Sequence, residues 1–499
     1  MCLSIGLIAA LSLNAHSQAP AKSSGSTKKD AAAPKEKEAP APKDAEKSKD
    51  APPADAEKAD EDKGETAASE STKEHAIEVF KDPKAVEALS KKYQPLAGVT
   101  PTIQVRKLVA EMAGGAPINR DTLSKFIAGL AADLTNPSYI RAIVEDGKPV
   151  SQSAKVGIRD AVRYLLDPID IAKRGNNQEF LNSYSQELLK VLPRILENHP
   201  ISRLQAIIVL GQTGSPDAIN VYTQQLNDKN QLVWVKLWAA RGITNIVQTG
   251  AGGNRVDEVL SGRAIPAAKA LSNFLNREAE IPWPVQVRAL EALGALRLAA
   301  DPAAAGKVEM ADAVVHQLAN REAKPEVRAQ AAWSLGMMRL NSGVVQFNYP
   351  LVAYFIGDVA ATVGEKVANS YEENITLAQY WTSVLVYQVF PAFYGQEGAR
   401  DSGLMKIPAV AQNRAVKEIA ELVKPLVKTS VDLINSPKGT QAQVAKDLTE
   451  RVGQLRAYLE KNPPSNTFLV PQGTQYPVKA DVAGAQGQPA KVAAGAGAR

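Results

Sequence analysis

The stretch that decides the fold is NREAEIPWPVQVRALEALGALRL, residues 276–298, which returns in altered form as NREAKPEVRAQAAWSLGMMRL, residues 320–340. Each copy has an Asn-Arg-Glu-Ala start, an Arg early in an apolar segment and a Gly near the end of that segment. The residues between the Arg and the Gly are mostly Ala, Leu, Gln and Glu, which form or tolerate a helix. The repetition predicts two copies of one helical unit.

The apolar residues of this unit cover two sides of the predicted helix. In the first copy Val287, Leu290 and Gly294 fall on one stripe, and Ala289 and Leu293 fall on another. A helix that is apolar on two sides packs on two sides, against its own partner and against a neighbouring pair. One helix pair alone would therefore expose apolar surface, and we expect at least about three pairs to stack.

Two further helices of the same kind occur within residues 202–243. Four glycines mark equivalent helix positions at intervals of 31, 52 and 42 residues, namely Gly211, Gly242, Gly294 and Gly336. Recurrence at such intervals is typical of solenoids built from helix pairs. The sequence therefore predicts an all-α fold, an α-solenoid of stacked antiparallel helix pairs.

The stretch LGQTGSPDAINVYTQQLNDKNQLVWVKLWAARGI, residues 210–243, resembles a HEAT-like repeat, particularly the short bacterial form found in phycobilisome lyases. The matching features are Leu210-Gly211, the helix start Pro216-Asp217-Ala218, Leu226 and Asp228 at the turn, and Val235-Lys236. The resemblance is clearest over 201–340, and we extend it to 76–465. It implies an α-solenoid with a curved binding surface, and it does not imply lyase activity.

Gly and Pro divide the chain into helical segments. The predicted breaks include LDP at 166–168, where Asp167 and Asp170 flank Pro168 at an expected helix boundary. Two carboxylates three residues apart could act in catalysis, but Asp beside such a boundary is more often a helix cap. Alternating apolar and polar runs that would indicate strands are scarce.

The N-terminal part of the chain has a different composition. Residues 1–17 contain a short apolar core followed by Ala15 and Ser17, as in a secretory signal, although no Lys or Arg precedes Lys22. The stretch Gln18–Glu74 contains no Val, Ile, Leu, Met, Phe, Trp or Tyr among its 57 residues, so we predict a disordered linker over 18–75. Residues 466–499, rich in Ala, Gly and Gln, are predicted to form a second disordered segment.

Cysteine content and charge exclude several classes of function. Cys2 is the only cysteine and would be removed with the signal, so no disulfide, Cys nucleophile or thiolate metal site is expected. The linker carries a charge of −3, which leaves +8 on the other residues, too diluted to indicate nucleic-acid binding. After the signal no segment is apolar enough to predict a transmembrane helix.

The search for catalytic, cofactor and metal motifs finds none. His75, His199 and His316 are far apart in sequence, and no phosphate-binding loop or G-x-S-x-G motif occurs. We therefore predict no catalytic residue, no cofactor and no metal site.

Two sets of residues are candidates for binding. The first is a ladder with one cation in each repeat, Arg203, Lys236, Arg288 and Arg328. An exposed ladder would attract an acidic partner. The interpretation that we favour is structural, with each cation paired to a turn carboxylate such as Asp228, Glu278 or Glu322.

The second set is aromatic. Residues 347–394 hold 11 of the 27 aromatic residues, and the tentative partner-binding residues are Tyr380, Trp381, Tyr387, Phe393 and Tyr394. Tyr380, Tyr387 and Tyr394 are seven residues apart, which places them on one helix face until Pro391 interrupts the helix. Such residues anchor protein interfaces, and they also form ordinary core.

These features favour a non-enzymatic scaffold, exported to the periplasm or beyond the cell, that binds an unidentified protein partner in the bacterial cell envelope. The alternative is an enzyme or an enzyme-accessory protein, lyase-like or glycan-handling, with a pocket in the aromatic-rich region 347–394. A deep pocket enclosing several carboxylates would favour that alternative, whereas dispersed contacts on a shallow surface would favour the scaffold.

Overall fold

The computed structural model of the protein describes residues 93–144, 152–250, 260, 262–277, 280–301, 303, 308–340, 346–397, 399, 401–437, 439–469 and 473–478. The predicted signal peptide and linker, and the start of the predicted repeat domain up to residue 92, lie outside the described residues. The last part of the predicted C-terminal tail, 479–499, also lies outside them.

The described residues form an all-α structure, and no strand occurs among them. The α-helices, in chain order, are α1 Ile103–Ala113, α2 Arg120–Leu134, α3 Pro137–Val144, α4 Gln152–Arg174, α5 Gln178–Ile195, α6 Pro200–Thr213, α7 Ile219–Asn227, α8 Val233–Gly250, α9 Ala264–Arg277, α10 Trp283–Leu296, α11 Glu309–Ala319, α12 Pro325–Met337, α13 Tyr349–Ser370, α14 Ile375–Val384, α15 Phe390–Tyr394, α16 Pro408–Ala411, α17 Arg414–Asn435 and α18 Gln441–Lys461. Of these helices, none is long and apolar enough to cross a membrane.

The starts of several helices follow from local sequence. Asn348 caps α13 by accepting a hydrogen bond from the backbone N–H of Leu351 at 3.2 Å, and Asn374 caps α14 in the same way. Pro200 and Pro325 stand at the first position of α6 and α12, where a missing N–H costs nothing and the fixed φ suits a helix. These caps set where α13 and α14 begin, and thereby fix the position of the aromatic segment.

The four glycine-marked helices pack in the order in which they occur. Helix α6 packs against α8, α8 against α10, and α10 against α12. The preceding helices contact one another in a second series, α7 with α9, α9 with α11, and α11 with α13. Within the described residues the structure is therefore helical with neighbouring helices in contact, which is compatible with a helical repeat.

Three of the four marker glycines lie where a neighbouring element approaches closely. A Cβ added at Gly294 would come within 2.8 Å of the Cα of Ser334, on α12, and one at Gly336 within 2.5 Å of the Cα of Ala392. At Gly242 the added atom would meet the ring of the buried Tyr222 at 2.6 Å. A side chain at these three positions would push the neighbouring element away, whereas a Cβ at Gly211 would make only ordinary contacts, at 3.9 Å.

The expected helix boundary at Pro168 is wrong, because α4 continues through it to Arg174. A proline inside a helix costs about 3 kcal/mol. Leu165 and Ile169, on either side of Pro168, are both buried in the core. Packing on both sides of the proline holds the helix together, so Asp167 and Asp170 lie within α4 and cap no helix.

The expected interruption at Pro391 is also wrong. Residues Leu385–Val389 form a π-helical turn, in which the N–H of Phe390 donates to the carbonyl of Leu385, and α15 follows directly. Pro391 has no N–H to donate to the preceding turn of the helix. The wider π-helical turn before it changes the hydrogen-bonding register of the backbone at this point. The helical path from Ile375 therefore continues to Tyr394, and the loop begins at Gly395.

The folded part of the chain extends past the predicted boundary at residue 465. Phe468 and Tyr476 are buried, and two isolated β-bridges join Phe347 to Leu469 and Thr467 to Gln475. The phenol of Tyr476 donates to Asp312 Oδ1 at 2.8 Å. Ala, Gly and Gln dominate the composition of the tail, but a few aromatic residues at its start pack on α11 and α13 and order this part.

Candidate functional site

Two cations of the predicted ladder are buried. Lys236, on α8, is 2% exposed, and its ammonium lies 5.1 Å from the ring centroid of Phe274. Arg328, on α12, is 4% exposed; its Nε donates to the carbonyl of Leu318 at 2.9 Å and its Nη2 to Asp358 Oδ2 at 2.6 Å. A partner arriving from solvent would not meet either cation.

The other two cations are half-buried and make contacts within the protein. The Nε of Arg203, on α6, donates to the carbonyl of Asn198 at 2.5 Å, and its guanidinium also lies over the ring of Tyr93. Arg288, on α10, forms an ion pair with Glu291 at 2.5 Å.

The carboxylates that the sequence suggested as partners have other positions. Asp228 is exposed in its turn, where its Oδ1 accepts from the N–H of Asn230 at 2.8 Å. Arg328 pairs with Asp358, on α13, and Glu278 lies outside the described residues. Lys236 and Arg328 therefore contact neighbouring helices, whereas Arg288 pairs within its own helix, and the structural role of the ladder stays a prediction.

The five tentative aromatic residues divide between core and surface. Trp381 is 7% exposed and Phe393 is fully buried, whereas Tyr380 is 42% and Tyr387 is 57% exposed. Tyr394 is half-buried, and its hydroxyl donates to the carbonyl of Ala420 at 3.0 Å. The seven-residue spacing thus brings Tyr380 and Tyr387 to solvent, while Tyr394 packs on α17.

Further apolar side chains are exposed beside Tyr380. Ile375 and Leu377, in the first turn of α14, are 41% and 40% exposed. The tryptophans show a related pattern, because all five in the chain belong to helices α8, α10, α12 and α14, as Trp234, Trp238, Trp283, Trp333 and Trp381. Trp283 is exposed, and Trp234, Trp238 and Trp333 are half-buried. Helices α8, α10 and α12 therefore each carry an exposed or half-buried tryptophan.

Three polar residues that the sequence did not single out, Glu326, Gln330 and Gln388, lie where α12 meets α14 and the π-helical turn that follows it. The hydroxyl of Tyr380 lies 3.4 Å from Glu326 Oε1, and the Nε2 of Gln388 donates to Gln330 Oε1 at 3.1 Å. Burial, with the nearby charge of Glu326, raises the pKa of Tyr380. The residues in contact are more than 50 positions apart, and no local period in the sequence connects them.

Two open cavities lie along α17 and α18, with volumes of about 490 and 650 Å³. Both are lined by Arg414, Glu418 and Tyr458. Glu418 accepts from the Nε of Arg414 and from the hydroxyl of Tyr458, at 2.7 Å each. Burial and the hydrogen bond to Glu418 raise the pKa of Tyr458 to about 12. The residues that the two cavities share lie outside the aromatic-rich segment 347–394, and Pro350, in the smaller cavity, is the one lining residue from that segment.

Within the ranges that the structure describes, no three His, Cys, Asp or Glu side chains come together as a metal-binding group. His199 and His316, the two described histidines, lie on separate helical segments. His199 caps α6, where its Nδ1 accepts from the N–H of Ile201 at 3.3 Å.

Comparison with known proteins gives no family assignment. No protein-family model, no curated protein sequence and no solved structure matches the chain.

Proposed function

We propose that this protein is an exported, non-enzymatic scaffold that binds a protein partner in the bacterial cell envelope. The observation that carries the proposal is the ordered packing of the four glycine-marked helices α6, α8, α10 and α12. A series of helices in contact presents one long surface, and stacked-repeat proteins use such surfaces for recognition.

The finer architecture that we propose is a HEAT-like solenoid of antiparallel helix pairs. Its support is that α7 contacts α8, α9 contacts α10, and α11 contacts α12, in addition to the two series of contacts between successive pairs. Short connections, such as the one between α11 and α12, favour antiparallel neighbours. A crystal structure in which α8, α10 and α12, the second helices of three successive pairs, ran in alternating directions would contradict this arrangement.

Aromatic residues on the surface of several helices support binding of a protein. Trp283 on α10, Tyr380 on α14 and Tyr387 on the π-helical turn are exposed. Trp238 on α8 and Trp333 on α12 are half-buried. Trp and Tyr are the residues that most often anchor protein interfaces, because they bury a large area at a small cost in entropy. Their dispersal over several helices favours a broad contact.

Affinity capture of the full chain from the native envelope fraction tests the proposal. We expect one protein to co-elute in a constant ratio and to remain bound on gel filtration. A chain that elutes alone from every fraction would contradict the scaffold function. The intact mass of the recovered chain tests export, because cleavage before Gln18 gives a defined mass, whereas a chain retaining Met1 in the cytoplasm would contradict export.

A further inference from the structure

Three buried polar atoms on α12, on α14 and on the π-helical turn have no hydrogen-bond partner among the described residues. They are Glu326 Oε2, Thr382 Oγ1 and Gln388 Oε1. A buried polar atom left in this state costs roughly 1–3 kcal/mol. Such atoms are rare in folded proteins, and a group of them calls for an explanation in terms of function or a bound group.

The atoms of Glu326 and Gln388 belong to one group of contacting residues, which we call the α12–α14 seam: Glu326, Gln330, Tyr380 and Gln388. The contact of Tyr380 with Glu326 links α14 to α12, and the contact of Gln388 with Gln330 links the π-helical turn to α12. Gln330 is buried, while Glu326 and Gln388 are half-buried. The seam therefore reaches from the core to the surface.

The backbone at the seam supports a role beyond packing. Gln388 lies in the π-helical turn Leu385–Val389, and α12 packs against this turn and against α15. Single π-helical turns inside α-helices occur frequently at functional sites. The turn rotates the residues before it relative to Ala392, which is held against Gly336.

The chemistry of the unpartnered atoms defines the group that would satisfy them. A carboxylate oxygen and an amide oxygen are both acceptors, and a hydroxyl is a third acceptor that can also donate. Lys and Arg side chains supply several donors and a positive charge, and aromatic rings attract such cations. Tyr380 and Tyr387 provide exposed rings next to the seam.

The charges around the seam have both signs, with carboxylates in a small majority. Exposed Glu322 precedes α12, and exposed Glu372 and Glu373 precede α14. The nearby cations are Arg321 and Lys324, which are exposed, and Lys366, whose ammonium lies 5.0 Å from the ring centroid of Trp381. With Glu326 the four carboxylates outnumber these three cations, so a small negative excess favours a positively charged group at the seam.

We propose that the α12–α14 seam is the docking site for a basic segment of the protein partner, with a Lys or Arg side chain donating to Glu326 Oε2 and Gln388 Oε1. Tyr380 and Tyr387 cover the aliphatic part of that side chain. Because both acceptor atoms are buried, docking requires the Tyr380 ring, which packs edge-on against Trp381, to turn aside. Its contact with Glu326, at 3.4 Å, is longer than an ordinary O–H···O hydrogen bond. This inference rests on the proposed scaffold function and names the chemistry of its partner.

A pair of short labelled peptides tests the charge preference with the full chain. One peptide carries several Lys residues among Leu and Ser, and the other has Glu in place of every Lys. We expect fluorescence anisotropy to show binding of the Lys peptide only, and a carbodiimide to couple its Lys to Glu326, as identified by mass spectrometry. Equal binding of both peptides, or coupling confined to other carboxylates, would overturn the proposal.

A matched pair of variants tests the site itself. Glu326→Gln keeps the shape of the side chain and removes its charge, and we expect the Lys peptide to bind about tenfold more weakly. Glu450→Gln removes the same charge from an exposed position on α18, and we expect unchanged affinity. The unfolding midpoint of each variant, compared with that of the unsubstituted chain, shows that it is folded. If both folded variants bind the Lys peptide with equal affinity, the seam is excluded as the site.

The same variants separate this inference from the scaffold function. If affinity capture returns a protein partner equally well with Glu326→Gln, the docking site is wrong and the scaffold function stands. If the Lys peptide binds through Glu326 but no protein is captured, the seam binds a basic group and the scaffold function is wrong.

Discussion

Arg328 and Asp358 form a buried ion pair, with Nη2 and Oδ2 2.6 Å apart. Arg328 lies on α12 and Asp358 on α13, and Asp358 also has Arg321 and Arg456 at 3.7 Å. The pair therefore joins the last glycine-marked helix to α13 and, through Arg456, to α18. Arg328, a candidate binding residue in the sequence, therefore connects two parts of the core.

Replacing Arg328 is expected to destabilise the fold. Arg328→Met removes a cation from a buried pair and leaves the Asp358 carboxylate with weaker partners, at an expected cost of about 3 kcal/mol. The midpoint of urea unfolding measures the change. The control is Lys428→Ala, which breaks an exposed ion pair with Asp432 and should leave the midpoint almost unchanged. Equal midpoints for the two variants would contradict the structural role of Arg328.

Gly336 and Gly453 make a matched pair for testing close helix approach. Gly336→Ala places a Cβ 2.5 Å from the Cα of Ala392, and backbone cannot move away as a flexible side chain can. We expect a net loss of at least about 1 kcal/mol in spite of the better helix propensity of Ala. Gly453, on α18, has nothing within 4 Å of its added Cβ, so Gly453→Ala should stabilise the protein by up to about 1 kcal/mol. Thermal unfolding of both variants measures the difference, and stabilisation by both would show that the α12–α15 contact is looser than described.

The protein should lose stability in mild acid because of His199. Burial, and then the nearby charge of Arg203, lower the pKa of His199 from 6.5 to about 4. Between these two values the unfolded chain binds a proton that the folded chain does not, so the stabilisation is complete above pH 6.5 and decreases as the pH falls towards 4. Because of His199, the free energy of unfolding measured with urea should be about 2 kcal/mol smaller near pH 5 than at neutral pH.

A substitution separates this effect from that of other titrating groups. His199→Asn keeps an acceptor at the start of α6 and removes the titration, so the loss near pH 5 should become smaller. His316→Asn changes an exposed histidine and should leave the pH dependence as it was. The assignment to His199 fails if both variants retain the full loss.

Truncation should distinguish the ordered and the remaining parts of the C-terminal segment. A chain that ends at Ser465 lacks the buried Phe468 and the hydrogen bond from Tyr476 to Asp312, and we expect it to lose at least about 3 kcal/mol. A chain that ends at Val478 keeps both, and its unfolding midpoint should equal that of the full chain. Equal stability of both truncated chains would place residues 466–478 outside the folded core.

The all-α fold was predictable because its signal is local. The spacing of apolar residues within one segment indicates which sides of a helix are buried, and Gly294 and Gly336 mark places where a neighbouring backbone comes close. The packing of their helices in chain order agrees with that expectation. The caps at Asn348 and Asn374 depend on the same short-range chemistry.

The candidate site was predictable only in part. The spacing of Tyr380 and Tyr387 placed them on one helix face and left interface and core both open. The structure exposes these two residues and buries Trp381 and Phe393, from the same cluster. Aromatic residues are suited both to core and to interface, so composition alone does not separate the two. Glu326 was not predicted as part of a site, because its contact is with Tyr380, 54 positions away in the sequence.

The sequence by itself determined the all-α class and the recurring helix marked by glycine, because helix period and capping depend on residues a few positions apart. Only the tertiary structure decided that Arg328 pairs with Asp358, that α4 continues through Pro168, and that Phe468 and Tyr476 belong to the core. Those outcomes depend on which surfaces meet in three dimensions. Packing between distant segments outweighs the local preference for a break or a loop, and no local pattern in the sequence records it.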